Sequence, residues 1–384
     1  MIKEITVFTD GDSTKLSTWS NVPFFFTETL IAKGIKVNRV NIGTNPNWER
    51  KYDKTINRIV IRILKKTSYG YFRSYTNFIN VRYRIWKAVK RYPNSDVFIF
   101  LTFSFSSVGF TKKPIVLFCD WTYDHYIRHH LNRNPDFLER QCIKREDSQI
   151  NKSDLVLTLF PKVEEYMKKR YKCENISYLG NVINSLFTAS SDIEVLEKKK
   201  EKKKILFVGS PKYIEGAKVL LQAYTLLKKQ YPSISLHFVG IEASLLENLP
   251  SDVYCYGYLN KGNDSERELY YQLLNEATIF VNTTPLWGAF SASIEAMYFY
   301  TPVIVSPYDE FVETFGSKIN VGLFCERNSP DLLAEKIEAL LFHKDYVQIC
   351  QNAHNAVEEF TWDSYIDKVM DQVKKLEGLK GDIQ

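Results

Sequence analysis

Residues Ile279–Phe311 read IFVNTTPLWGAFSASIEAMYFYTPVIVSPYDEF. Two short apolar runs in it, Ile279–Val281 and Val303–Val305, are rich in β-branched residues and predict buried strands. Between them lie a loop with Gly288, the small residues Ala289, Ser291 and Ala292, and a short helix carrying one acid, Glu295. Backbone N–H groups at such a helix start bind anions, and small side chains let a phosphate come close. The stretch therefore predicts one strand–loop–helix–strand unit of a parallel α/β sheet with an anion site at its loop.

The same rhythm runs outward along the chain. Strands are predicted at Ile2–Thr9, Lys36–Asn41, Asp96–Leu101, Ile115–Cys119, Leu155–Thr158 and Ile176–Leu179, with helical segments between them. The like-charged run Glu197–Lys204, EKKKEKKK, breaks the alternation and reads as a solvated linker. A second α/β series follows: KILFVGS at Lys204–Ser210, a helix over Gly216–Tyr231, SLHFVG at Ser235–Gly240, VYCYGYL at Val253–Leu259, a helix over Glu266–Glu276, and then the opening unit. Pro330 and Asp331 mark a further helix start, and a long helix follows Thr361 and Trp362.

Length and composition fit two or three domains, each large enough for its own core. The chain has 384 residues, of which 45% are apolar. No run reaches the roughly 18 apolar residues of a membrane span, and the chain opens on a strand pattern rather than a signal peptide. The six cysteines are scattered, with no C-x-x-C pair and no His at zinc spacing, as expected of reduced packing residues in the cytoplasm. Net charge is +6, but residues 1–200 hold 34 Lys/Arg against 20 Asp/Glu, while the remainder holds 17 against 25. The excess lies mainly in Arg50–Arg91, where Ile56, Ile59, Val60, Ile63 and Leu64 recur at helical spacing and Arg58, Arg62, Lys65 and Lys66 project elsewhere. Two readings stand for this segment: peripheral contact with an anionic membrane or acceptor, or a solvated helix whose apolar side packs on the N-terminal sheet.

The unit at 279–311 resembles the donor-sugar site of the retaining GT-B glycosyltransferases, in particular the GT4-type family (glycosyl transferases group 1). Glu295, Ala296, Thr301 and Pro302 carry the resemblance; it is strongest over about residues 204–345 and weaker over 1–185. It implies a GT-B architecture: two Rossmann-like domains facing across a cleft, with a C-terminal helix crossing back to the first. The expected division is residues 1–190 for the acceptor, 191–204 as charged linker, 205–360 for the nucleotide sugar, and 361–384 as the returning helix. No metal and no bound cofactor are expected.

The resemblance also assigns roles. Glu295 would accept hydrogen bonds from the nucleotide ribose; the plain alternative is an acid stabilising the first helical turn. Gly288, Ala289, Phe290 and Ser291 would present amides to the diphosphate, Gly209 and Ser210 would line the loop after the domain's first strand, and Tyr258 would border the base. The family's loop cations fall here on Ser210 and Glu215, so either Lys212 moves in to replace the cation or the donor sits differently. A second family Glu falls on Trp287, which would stack on a sugar or base, or simply pack. Trp19, Ser20 and Asn21 stand where relatives have Trp-Ser-Gly, lining the acceptor side. Asp120, at a strand end, and His125 are the catalytic candidates.

These residues lead to a glycosyltransferase that moves a sugar from a nucleotide-sugar donor to a glycan, glycolipid or other glycoconjugate with retention. The departures at Ser210, Glu215 and Trp287 keep open a non-catalytic GT-B subunit that stabilises a partner enzyme. A nucleic-acid binder through Arg50–Arg91 is disfavoured by the acidic second half.

Overall fold

The computed structural model describes residues 2–64, 70–284 and 290–381. The chain forms two compact units, Met1–Asn181 with Trp362–Gln384, and Val182–Thr361. In the first, strands β1 (Glu4–Thr9), β2 (Lys36–Asn41), β3 (Val97–Phe100), β4 (Ile115–Cys119), β5 (Leu155–Thr158) and β6 (Ile176–Tyr178) lie in the order β2-β1-β3-β4-β5-β6. Every pairing in the sheet is parallel. Parallel sheets are covered by helices on both faces, so their strands read as unbroken apolar runs. VFIF in β3 and LVLT in β5 are buried at every residue, whereas the edge strand β2, KVNRVN, is partly exposed.

The helices of this unit are α1 (Val22–Ala32), α2 (Pro46–Tyr52), α3 (Arg58–Leu64), α4 (Tyr75–Arg91), the single turn α5 (Tyr123–His125), α6 (Phe137–Ile150) and α7 (Pro161–Arg170). A capping box starts α6: Asp136 accepts from the Glu139 N–H at 3.0 Å, and Glu139 accepts from the Asp136 N–H at 2.8 Å.

The second unit repeats the plan. Strands β7 (Lys204–Val208), β8 (Ser235–Val239), β9 (Val253–Cys255), β10 (Ile279–Asn282), β11 (Val303–Val305) and β12 (Gly322–Phe324) run in the order β12-β11-β10-β7-β8-β9, again all parallel. Around them lie α8 (Ile193–Lys202), α9 (Ile214–Gln230), α10 (Asp264–Glu276), α11 (Phe290–Tyr298), α12 (Asp309–Phe315), α13 (Pro330–Leu341) and α14 (Tyr346–Asn355). Within Val253–Leu259 only β9 is strand, and Gly257 beyond it turns the chain at φ +60°. The last helix, α15 (Trp362–Gly381), belongs to the first unit. There Trp362 stacks on Phe25, and Lys33 of α1 bonds Asp363 and Asp367 at 2.8 Å each. Among the described residues no helix is long and apolar enough to cross a membrane.

The lysine-rich run differs from its expected role as a solvated linker. It forms most of α8, which Asp192 caps by accepting the Val195 N–H at 2.9 Å. Leu196 is buried, and Lys199 is buried too, its ammonium donating to the Phe299 carbonyl at 2.6 Å and to Thr301 Oγ1 at 2.7 Å. Lys200 donates to the His343 carbonyl, and Glu276 receives both Lys202 and Lys204. Like charges sit side by side here because carbonyls and one carboxylate on neighbouring elements absorb them.

Burial holds the Lys199 pKa down to about 7. Its folded value lies below that of a free lysine, so the folded protein binds fewer protons and stability rises as pH climbs from about 7. The melting temperature should therefore increase from pH about 7 to about 9. Lys199→Met should flatten that rise; an unchanged slope in the variant would assign it to another group.

Candidate functional site

In a doubly wound sheet, ligands sit beyond the strand C-terminal ends where the strand order reverses. In the first sheet this point lies between β1 and β3. A cavity of about 620 Å³ opens there, lined by Asp10 after β1, Leu101–Ser104 after β3 and Cys119–Trp121 after β4, with Trp19, Phe72, Arg73, Tyr123, Tyr126 and Glu146 around them. Asp120 thus stands in the cavity wall. Its Oδ1 accepts the Trp121 N–H at 2.9 Å, and its carbonyl accepts Thr158 Oγ1 at 2.7 Å. Trp19 also lines the cavity, on a turn in which Trp19, Ser20 and Asn21 take φ values of 36°, 52° and 74°. Asn tolerates left-handed backbone better than most residues, but here the positive φ extends through all three residues. Each such residue costs about 1–3 kcal/mol, strain that collects at functional sites. Ser20 is exposed and Asn21 is buried.

His125 is not part of this wall. The turn α5 and the π-helical stretch Tyr126–His130 bury it in a side-chain cluster, its ring 4.3 Å from His129 and 5.0 Å from Tyr166. Burial and the neighbouring His129 and His130 hold its pKa down to about 3, so the imidazole is neutral near pH 7. Adjacent Asp124 is fully engaged, receiving Arg128 at 3.1 Å, Arg170 at 3.2 Å and the Tyr166 hydroxyl.

Glu146, absent from the sequence expectations, organises the cavity floor. It is buried on α6; Oε1 accepts the Tyr123 N–H at 2.6 Å, Oε2 accepts Ser104 Oγ at 2.9 Å, and Arg73 lies 3.5 Å away. Arg73 in turn covers the Tyr123 ring at 3.9 Å. Burial raises the Glu146 pKa while Arg73 and these bonds pull it down. Asp10 is also raised, by burial and by Glu49. One signal was legible: Glu139, Cys142, Ile143, Glu146, Gln149 and Ile150 fall on one helical stripe and are all buried, which places two acids on an apolar face.

In the second sheet the order reverses between β7 and β10. Glycines bring the loops at this edge together. A Cβ on Gly216, in the first turn of α9, would lie 2.3 Å from Thr284 Oγ1 just after β10, and one on Gly240 would lie 2.4 Å from the Gly209 carbonyl. Gly209 itself has no room for a side chain between Phe207 and Tyr213. Ser210, Lys212 and Glu215 are exposed on this edge, and Lys212 lies over the Tyr213 ring at 5.0 Å. Tyr258 is 70% exposed. Trp287, Gly288 and Ala289 lie outside the described residues.

Of the helix that follows, Ser291 is exposed, while the Phe290 side chain is buried against Phe311 and Phe315. Glu295 lies in the second turn of α11, so it is not the first-turn acid of the plain alternative. It is buried, with Oε1 accepting Lys261 Nζ at 2.6 Å and Oε2 accepting Tyr270 Oη at 2.7 Å. Lys261 lies over the Tyr270 ring and reaches the Asn184 carbonyl at 3.3 Å. Thr301, part of the sequence resemblance, is buried and structural, joining Lys199 to the Leu274 carbonyl.

Two six-stranded parallel sheets of this kind, flanked by helices, define the GT-B fold. Residues 189–356 match the family model described as Glycosyl transferases group 1. Sucrose-phosphate synthase from Thermosynechococcus elongatus superposes with a TM-score of 0.66 at 14% identity, over 98% of this chain and 100% of that one. Anabaena HepE, solved in complex with UDP and glucose, gives 0.63 at 12% identity, over 97% and 100%. An uncharacterized glycosyltransferase of Methanocaldococcus jannaschii is 26% identical over 224 residues, 55% of this chain and 56% of the relative. The alignments span little more than half the length of the curated relatives matched.

Removing one partner of a buried ion pair strands the other. Glu146→Ala should therefore lower stability in urea by on the order of 3 kcal/mol. Glu146→Gln keeps the hydrogen-bonding shape and should lose clearly less. Equal losses would show that the acid fills space and orders nothing.

Proposed function

We propose that this chain is a glycosyltransferase that carries a sugar from a nucleoside-diphosphate donor to a saccharide hydroxyl. The observation that carries this reading is the glycine-tightened edge between β7 and β10, where Gly216 sets the start of a 17-residue helix against the end of β10. The first turn of a helix has N–H groups without intrahelical partners, and they favour a diphosphate.

Glu295 is the ribose acceptor in this reading. An ionised carboxylate offers about four lone-pair positions, so its bonds to Lys261 and Tyr270 leave capacity for two ribose hydroxyls. The same bonds hold the carboxylate in one orientation. Phe290 and Ser291 contribute backbone amides and Tyr258 borders the base, while Trp287, Gly288 and Ala289 lie outside the described residues. Gly209, Ser210 and Lys212 complete the donor loop.

HepE binds UDP and glucose, which supports a uridine donor here. Retention of anomeric configuration comes with the GT4-like pattern of Glu295, Ala296, Thr301 and Pro302. The acceptor belongs to the cavity of the first unit. Its aromatic walls (Trp19, Trp121, Tyr123, Tyr126) suit sugar faces, and Asp10 and Asp120 suit sugar hydroxyls. Asp120 orients the attacking hydroxyl; His125 positions the segment that carries Tyr126.

A second reading has its own observation. Glu215 places an exposed carboxylate in the first turn of α9, where the family places a cation. That repels a diphosphate and favours a subunit that supports a partner enzyme without turnover.

Melting in the presence of UDP, GDP and ADP tests both readings, because a ligand of the folded state raises the transition in proportion to its affinity. UDP should stabilise the chain, and Glu295→Ala should remove most of the shift. Transfer from UDP-sugars, assayed alongside, separates catalysis from binding. A flat response to all three nucleotides would end the donor assignment.

Glu215→Lys should tighten UDP binding roughly tenfold, the equivalent of about 1.4 kcal/mol at a helix start. Titration calorimetry would check it, and an unchanged affinity would place the diphosphate elsewhere.

A further inference from the structure

The apolar face of the basic segment does not pack on the sheet. Ile56, Ile59, Ile61 and Ile63 are exposed at 47, 56, 40 and 70%, and Trp48 on α2 at 58%. Ile56, Ile59 and Ile63 follow one another at i, i+3 and i+7, with Arg58 and Arg62 on the other side of the helix.

Helix α4 has two apolar faces. Val81, Ile85 and Ala88 are buried against the core, while Tyr75, Ile79, Tyr83 and Trp86, at i, i+4, i+8 and i+11, form a separate stripe open to solvent. A shallow depression of about 450 Å³ lies along this stripe, lined by Phe78, Ile79, Arg82, Tyr83, Trp86 and Phe110. Cations are interleaved with its rings: Lys87 lies 4.5 Å from the Tyr83 ring and Lys90 4.0 Å from that of Trp86. Tyr52 against Tyr71 links the α2 end of the segment to the start of α4.

The charge names the occupant. Arg50–Arg91 contains thirteen Lys/Arg and one Asp. Arg84, Arg82 and Arg73 serve internal bonds, to the Asn41 and Gly43 carbonyls, the Ser106 carbonyl, and Ser104 and Glu146. Arg50, Lys51, Lys54, Arg58, Arg62, Lys87, Lys90 and Arg91 are exposed, and none pairs with a carboxylate among the described residues. Exposed isoleucines and Trp/Tyr bordered by cations without carboxylate partners are the surface chemistry of an interfacial membrane helix: the apolar side chains enter the acyl boundary and the ammonium and guanidinium groups meet lipid phosphates.

We propose that the described residues of α2, α3 and α4 form a docking surface for an anionic lipid bilayer. It stands on the first unit alone and does not depend on the donor assignment. A membrane seat would keep a lipid-linked acceptor close to the cavity of the same unit.

Flotation of the full chain with vesicles of phosphatidylcholine, with and without phosphatidylglycerol, tests this. Binding should require phosphatidylglycerol and fall with added salt. Arg58→Gln with Arg62→Gln should weaken it about thirtyfold, at roughly 1 kcal/mol per surface cation. Ile59→Ser with Ile63→Ser, and separately Tyr83→Ser with Trp86→Ser, should each weaken it at least tenfold. All these side chains are at least partly exposed, so the variants should keep the wild-type melting temperature and, if the donor assignment holds, the UDP shift.

Equal binding to both vesicle types, or none to either, overturns the proposal. A dimer in sedimentation equilibrium that Ile59→Ser with Ile63→Ser dissociates would give the surface to a second copy instead. Salt-sensitive binding of RNA but not of vesicles would give it to nucleic acid.

Discussion

A parallel sheet must be buried on both faces, and in this chain that constraint is met twice. With helices over each face, water reaches a sheet only at the strand ends, so any chemistry is confined to the loops there. Both candidate sites follow from this: one after β1, β3 and β4, the other after β7 and β10. The second edge is closed so tightly that Gly216 and Gly240 leave no room for a Cβ. A helix start is thereby held against a strand end.

Each unit also buries charge, and the partners decide what the charge does. Glu146 joins Arg73, Ser104 and the Tyr123 N–H beneath a cavity, and so orders its wall. Glu295 joins Lys261 and Tyr270 in the second unit, oriented and with acceptor capacity to spare. Lys199 donates to a carbonyl and a hydroxyl, and fastens α8 to the turn at Thr301. Buried ions that lack full compensation are costly, and each of these is surrounded by donors or acceptors from elements far apart in sequence.

Local patterns carried the fold a long way. The strands at Ile115–Cys119 and Leu155–Thr158 fall where apolar β-branched runs put them, since a buried strand shows its state in composition alone. Asp120 was legible for the same reason: it directly follows such a strand. His125, only five residues on, was not, because a turn and a π-helical stretch rotate it into a cluster with His129 and Tyr166. EKKKEKKK misled in the opposite sense. Charge runs are usually solvated, and nothing local announces that Phe299, Thr301, His343 and Glu276 await these lysines.

The order of residues by itself determined two parallel α/β series and an uneven spread of charge, because periodicity and net charge are properties of neighbours along the chain. Only the tertiary structure decided which acids stand in a cavity, which lysine is buried, and which isoleucines remain in water. Those outcomes depend on contacts such as Ser104 with Glu146 or Lys199 with Phe299, made between segments tens of residues apart. No local pattern contains the partner, so no local pattern could have named them.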